Sequence, residues 1–434
     1  MEPSLTPLDP WIAGKIGRPQ GLGRADLLAY QTEQLRETVE LARRKSRFYQ
    51  DRLKFSPTAI SSLDELCQFP FTTAQDIREY GLQMVCVSQD DIQRVVTLET
   101  SGTTGLAKRL YFTKEDQELT LDFFRVGMST FTKAGDKVLI LLPCERAGGV
   151  GDLLANALSR LGAHPIKHGV IHDVNATLTL MHTEGVDGVV GIPAQVLTLA
   201  RRSAGLKVRS VLLSTDHVPG VIARAIEQAW GCRVYNHYGM TEMGLGGGVD
   251  CQARRGYHLR EADMIFEVID PATGKPVPEG GAGEVVFTTL TRQGMPLIRY
   301  RTGDISRFIP GNCPCGTPLL TLEHIRQRAS GVLPIGHAGF LCMADLDEAL
   351  FAIEELVDFE ATITRQTPRD CLGIVAQASS GISGNLVHKI QAALDSVPVI
   401  RLAKVSQDLD VLVSGQINSA LVARPTKRAI KEEN

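Results

Sequence analysis

Apolar residues recur at helical spacing near the start of the chain. Leu27, Leu28, Leu35, Val39, Ala42 and Phe48, with Glu and Arg between them, predict one long amphipathic helix over 24–55. From about 90 to 240 the pattern alternates. The short apolar runs at 138–143, 188–191, 208–214 and 232–239 read as strands, and 150–162, 174–184, 193–203 and 218–230 read as helices between them. Alternation of this kind predicts an α/β core with a largely parallel sheet. After 245 the period shortens. The run at 264–290 alternates around Pro/Gly turns and predicts an antiparallel β-subdomain. The rest reads as α+β, with a helix in DLDEALFAI (345–353), a strand in CLGIVAQA (371–378) and a charged tail expected to fray.

The 434 residues exceed one ordinary core. The expected division is a large N-terminal domain over 1–325, with mainly parallel sheets flanked by helices and a β-rich subdomain at about 245–325, followed by a small α+β C-terminal domain over 326–434. Hydrophobic residues at 43% and charged residues at 22% fit a globular protein. A net charge of −3 gives no basic footprint, so nucleic acid is not an expected partner. No apolar run approaches the roughly 20 residues of a membrane span, and the N-terminus has no signal-like apolar stretch. Nine cysteines, an odd number without a disulfide-like framework, fit a reducing compartment, so the expected location is the cytoplasm. The commonest oligomer, a homodimer, is the default expectation for assembly.

The strongest local chemistry is ETSGTTGLAKRLYFT at 99–113. Ser101, Gly102, Thr103, Thr104 and Gly105 make a run of small hydroxyl and glycine residues between two strand-like segments. Glycines let backbone N–H groups converge and hydroxyls add donors, which suits the phosphates of a nucleotide. Lys108 and Arg109 add positive charge. The order of a Walker A loop is absent, and an ordinary surface turn is the plain alternative. A second cluster pairs Cys313 and Cys315 with Cys251 and His258 upstream. Three sulfurs and one imidazole are enough for a closed tetrahedral zinc site, with free buried thiols as the alternative.

SGTTG resembles the phosphate loop of the adenylate-forming acyl/aryl-CoA synthetase superfamily. NHYGMTEMG (236–244) and LIRYRTGDIS (297–306) resemble two further motifs of that superfamily, in the expected order. The N-terminal LDP, RRKSRFYQDRL and LCQFPFTTAQDIRE (66–79) are similar to the phenylacetate–CoA ligase branch. The resemblance covers about residues 8–325. It implies ATP as substrate and AMP as product, Mg²⁺, a small carboxylic acid and CoA as acceptor. Ser101, Thr103 and Thr104 would hold the β- and γ-phosphates and Thr241 the α-phosphate, with Glu242 on Mg²⁺. Asn236 would face the adenine edge, with His237 and Gly239 beside it, and Tyr238 would stack on the base. Asp304 would bind the ribose diol, and Asp216 in LLSTDHV (212–218) would lie on the adenine loop. Some relatives carry the same Cys–x₆–His and CPCG pattern, which implies a structural Zn²⁺.

The C-terminal part departs from the pattern. Arg328 matches the hinge arginine, but Ser330 or Gly331 stands where the hinge acid belongs. Lys427 is the nearest candidate for the adenylation lysine. Three activities therefore enter the comparison. The leading one is an acid–CoA ligase acting through an acyl-adenylate. The second is an adenylyltransferase resembling the deazaflavin-coenzyme synthetases, without a CoA step. The third is a nucleotide-binding homologue with lost turnover. Glu145 and Arg146 hint at a polar acid substrate, and a surface salt pair explains them equally well.

Overall fold

The computed structural model describes residues 3–98, 106–203, 205–379 and 383–433. The chain divides into two compact units. One contains residues 1–133, 146–162 and 236–325, and the other residues 134–145, 163–235 and 326–434. Each has its own apolar core.

In the first unit the anticipated long helix is two. Arg24–Lys45 ends at Ser46, whose backbone is extended (ψ 120°), and Arg47–Arg52 follows. The Ser46 hydroxyl accepts the N–H of Tyr49, so one serine stops the first helix and caps the second. The buried face Leu27, Leu35, Val39 and Ala42 packs toward the unit's core, as the apolar spacing predicts. Strands Arg94–Leu98 and Lys108–Phe112 pair antiparallel, with Leu98 opposite Lys108. Met264–Ile269, Gly283–Thr289 and Tyr300–Ser306 form an antiparallel run in the anticipated β-rich region. Gly248–Asp250 and Tyr257–Leu259 pair antiparallel in a separate sheet, and Thr321 lies opposite His258.

The second unit carries the parallel sheet, in the order Ser210–Leu213, Gly188–Gly191, Lys137–Leu141 and His164–Lys167. The first three are largely buried on both faces, which explains their near-continuous Val/Leu/Ile composition, while the edge strand His164–Lys167 is partly exposed. Helix Val174–Glu184 joins His164–Lys167 to Gly188–Gly191, Pro193–Arg202 joins that strand to Ser210–Leu213, and Gly220–Trp230 leads on to Arg233–Tyr238. Strand Arg233–Tyr238 starts in this unit and ends in the first. No described helix is long and apolar enough to cross a membrane.

Residues 326–434 share this unit's core, with Ile335, Leu350, Phe359 and Ile374 in the same cluster as Leu213 and Trp230. Their sheet runs Leu409–Ile417, Asp370–Ala378, Leu356–Thr364 and Lys431–Glu433. The charged tail therefore does not fray: Lys431–Glu433 adds a parallel edge strand to Leu356–Thr364. Backbone pairing at an exposed edge needs no apolar side chains, so composition concealed it.

Arg428 anchors that tail. It donates to Asp347 at 2.7 Å, to Asp358 and to the Phe359 carbonyl, and its guanidinium lies over the Phe351 and Phe359 rings. Burial pushes the Asp347 carboxyl up to about 7 even beside this cation. Removing Arg428 leaves the buried Asp347 without its cation and Asp358 with Arg424 alone, so Arg428→Ala should cost about 3 kcal/mol of unfolding free energy. Urea titration of the full chain measures this, and a loss below about 1 kcal/mol would match an exposed pair instead.

Candidate functional site

The strand Arg233–Tyr238 delivers the chain into a tight turn, Thr241–Met243. Gly239 is required there, because a Cβ would lie 2.2 Å from the Leu245 carbonyl oxygen. The turn places Glu242 in the first unit's interior, 4% exposed. A carboxylate so enclosed needs compensation. Its Oε1 accepts Lys108 Nζ, from the strand that follows the glycine-hydroxyl run, and Tyr300 Oη at 2.8 Å. Burial alone would raise this carboxyl. The Lys108 charge and the hydrogen bonds from Lys108 and Tyr300 outweigh it and hold the group below its ordinary value. Glu242 is thus an ionised acid inside the protein. Its Oε2 takes no side-chain hydrogen bond among the described residues.

The strand carrying Tyr300 also carries Asp304. Positions 300, 302 and 304 share one buried face, and 300 and 304 are separated by roughly 13 Å of extended chain. Asp304, 7% exposed, accepts the Tyr238 phenol at 2.9 Å. Tyr238 stacks on Tyr257 with ring centroids 5.5 Å apart, and Tyr257 meets the edge of His324 at 4.8 Å. Burial and then the neighbouring Asp304 push the Tyr238 phenol well up. Asn236 is fixed by its main chain: its N–H donates to Asp250 at 2.8 Å, and the other Asp250 oxygen meets His324 Nε2 at 2.8 Å. The His237 ring lies against Phe123 and Phe124, and burial lowers it to about 4, so it is neutral at ordinary pH.

One unit therefore holds Lys108, Asn236, His237, Tyr238, Gly239, Thr241, Glu242 and Asp304. Tyr300, which opens the motif that ends in Asp304 without an assigned role there, and Tyr257, which lies outside the motifs, join them as partners. Period-2 spacing from Asp304 back to Tyr300 is the available signal. Ser101, Gly102, Thr103, Thr104 and Gly105 lie outside the described residues.

Asp216, Arg328 and Lys427 belong to the other unit. Asp216 is raised by burial and accepts the main-chain N–H groups of Arg428, at 3.0 Å, and His217, at 2.9 Å. Lys427 is exposed, and its charge helps lower Asp216. Arg328 is exposed at the end of the two-residue strand Gln327–Arg328.

The cysteine cluster assembles in the first unit. Cys251 follows strand Gly248–Asp250, His258 lies on the paired strand, and the loop after 310 brings Cys313 and Cys315. Their ligand atoms all lie within 4.8 Å of one another, and the four residues are buried. Cys251 Sγ is 3.6 Å from Cys313 Sγ, and Cys315 Sγ is 3.3 Å from His258 Nε2. The sulfur pair is far too long for a disulfide. Both spacings suit the edges of a tetrahedron about an ion bound at roughly 2.0–2.3 Å. Burial opposes a charged His258, but hydrogen bonds to Cys313 and Cys315 push it up to about 9.

The family model described as AMP-binding enzyme matches residues 31–291. A phenylacetate-coenzyme A ligase of Thermus thermophilus is 29% identical over 364 residues, covering 80% of each chain. The phenylacetate-coenzyme A ligase of Escherichia coli is 25% identical over 403 residues, covering 88% of each. Among solved structures, a 2-hydroxyisobutyryl-CoA ligase in the postadenylation state with 2-HIB-AMP is similar with a TM-score of 0.79. It is 20% identical, over 94% of this chain and 89% of that one, and that likeness speaks for the fold.

Proposed function

This chain belongs to the AMP-binding enzyme family, and we propose that it activates a small carboxylic acid with ATP and passes the acyl group to CoA. The observation that carries this reading is the pair of buried carboxylates: Glu242, which accepts Tyr300 of the strand Tyr300–Ser306, and Asp304 of that same strand, which accepts Tyr238. In the first half-reaction a carboxylate oxygen of the acid attacks the α-phosphorus and pyrophosphate leaves, giving acyl-AMP. In the second, the CoA sulfur attacks the acyl carbonyl, the thiol proton is lost and AMP leaves.

The chain's own groups supply positioning and charge, which this chemistry needs more than covalent help. Asp304 offers two acceptor oxygens to the ribose diol, with Tyr238 holding one of them in place. Asn236 and Tyr238 border the adenine, and Thr241 opens the turn beside the α-phosphate. Ser101 to Gly105 are assigned to the outer phosphates, and Lys108 supplies positive charge. Glu242 fits a hard divalent cation, because it is ionised and its second oxygen takes no side-chain donor. Mg²⁺ bound with ATP would neutralise charge on the phosphates. On this reading residues 1–325 handle the nucleotide and 326–434 form the small α+β part. No step is assigned to Lys427, Arg328 or Asp216.

The relatives' names favour CoA as acceptor over an adenylyl transfer that stops at AMP. Phenylacetate and short hydroxy acids are the first acids to try. The four-ligand cluster is read as a structural zinc site that ties the Gly248–Leu259 hairpin to the loop after 310.

An acid panel assayed for pyrophosphate, with and without CoA, tests the reaction. Acid-dependent pyrophosphate and CoA-dependent AMP release are expected. Pyrophosphate with no effect of CoA would favour the adenylyltransferase, and none with any acid would favour a homologue without turnover. Glu242→Gln should lower the rate by about 10²-fold or more while the protein stays folded; wild-type rates would remove Glu242 from the site. Elemental analysis of the purified chain should find about one zinc per molecule. Stripping it with a chelator should lower the melting temperature without a change in disulfide content. No metal, or an unchanged melt after stripping, would leave the cysteines as free thiols.

A further inference from the structure

Arg292 is only 6% exposed, yet it has no carboxylate partner among the described residues. Its Nη1 donates to the main-chain oxygen of Glu242 at 2.6 Å. Among the described residues its Nε and Nη2 have no hydrogen-bond partner. The guanidinium lies 4.4 Å from the Phe112 ring centroid, on the strand that begins with Lys108.

The neighbouring acid, Asp116, is already committed. It accepts the N–H groups of Thr113, Gln293 and Gly294. Gly294 is required for that approach, since a Cβ would lie 2.5 Å from Asp116 Oδ2. Thr291 on the other side bonds Asp263 at 2.9 Å. The segment bearing Arg292 is therefore fixed at both flanks.

A buried cation with two unsatisfied donors is a poor contributor to stability, and an apolar chain of the same length would serve packing at least as well. Its hydrogen bond reaches the backbone of the residue whose side chain defines the site. We propose that Arg292 is a positioning residue: it holds the Thr241–Met243 turn by the Glu242 carbonyl and so fixes how the Glu242 carboxylate meets the divalent cation of the bound nucleotide. This rests on reading the site as ATP-binding. Tyr300 and Lys108 fix the carboxylate end of Glu242, and Arg292 fixes its backbone. Groups that orient a ligand in this way change metal affinity by about 10- to 100-fold when removed.

The test uses the full chain, wild type, Arg292→Met and Arg292→Lys, with Mn²⁺ as probe. Mn²⁺ binding in the presence of ATP is followed by EPR, beside pyrophosphate kinetics and thermal melts. Arg292→Met should weaken Mn²⁺ binding about tenfold or more and lower kcat by a similar factor, with a smaller change in KM for ATP. Arg292→Lys, which keeps a donor and the charge, should recover most of both losses. Should Arg292→Met not fold, Arg292→Gln carries the same expectation. Wild-type Mn²⁺ affinity in a folded neutral variant overturns the proposal. So does an Arg292→Lys protein as impaired as Arg292→Met with a matching loss of melting temperature, since that pattern belongs to packing alone. A wild type that binds Mn²⁺ with ATP but forms no pyrophosphate defeats the ligase reading and leaves Arg292 judged by the Mn²⁺ data. A wild type that binds no Mn²⁺ with ATP defeats both.

Discussion

An ionised carboxylate enclosed in a protein must be matched by donors, and Glu242 obtains them from two distant parts of the chain. Lys108 comes from the strand after the glycine-hydroxyl run, and Tyr300 from the start of the strand Tyr300–Ser306. The same strand carries Asp304 four residues on, where Tyr238 is its donor. Tyr238 and Glu242 are themselves only four residues apart, across the Gly239 turn. Two buried acids are thus bracketed between one strand and one strand-turn segment. Relaxing either acid would disturb both segments, which is how a small motif comes to dictate the surrounding geometry.

The fold around this bracket follows from ordinary packing. The parallel strands at 188–191 and 210–213 are fully buried, and their apolar runs are what such burial requires. The antiparallel strands after 264 supply the rigid surface on which Asp304 and Tyr300 sit. The Cys251, His258, Cys313 and Cys315 cluster ties the adjoining hairpin to a loop with little apolar content of its own. Its donor set is chemically matched to zinc, while Glu242 is matched to a harder cation.

Much of this was legible in the chain. The strand at 188–191 and the helix at 174–184 fall where apolar spacing puts them, because short buried strands and capped helices carry local signals. The candidate site residues Glu242, Tyr238 and Asp304 are marked by their motifs. Other features lie beyond local pattern. Ser46 breaks a helix whose amphipathic spacing continues through it, since a capping hydroxyl leaves hydrophobic periodicity untouched. The tail strand Lys431–Glu433 is held by backbone pairing, and its anchor, Arg428, meets Asp347 and Asp358 across 81 and 70 positions of chain. Arg292 reaches Glu242 across 50. Contacts of that range come from topology, and no local spacing encodes them.

If adenine rests against Tyr238, light-driven labelling with 8-azido-ATP, followed by peptide mapping, should mark the tryptic segment from Val234 to Arg254. ATP should protect that segment, and an excess of a non-nucleotide anion should not. Saturable, ATP-protected labelling confined to another part of the chain would contradict the nucleotide site built on Glu242 and Asp304.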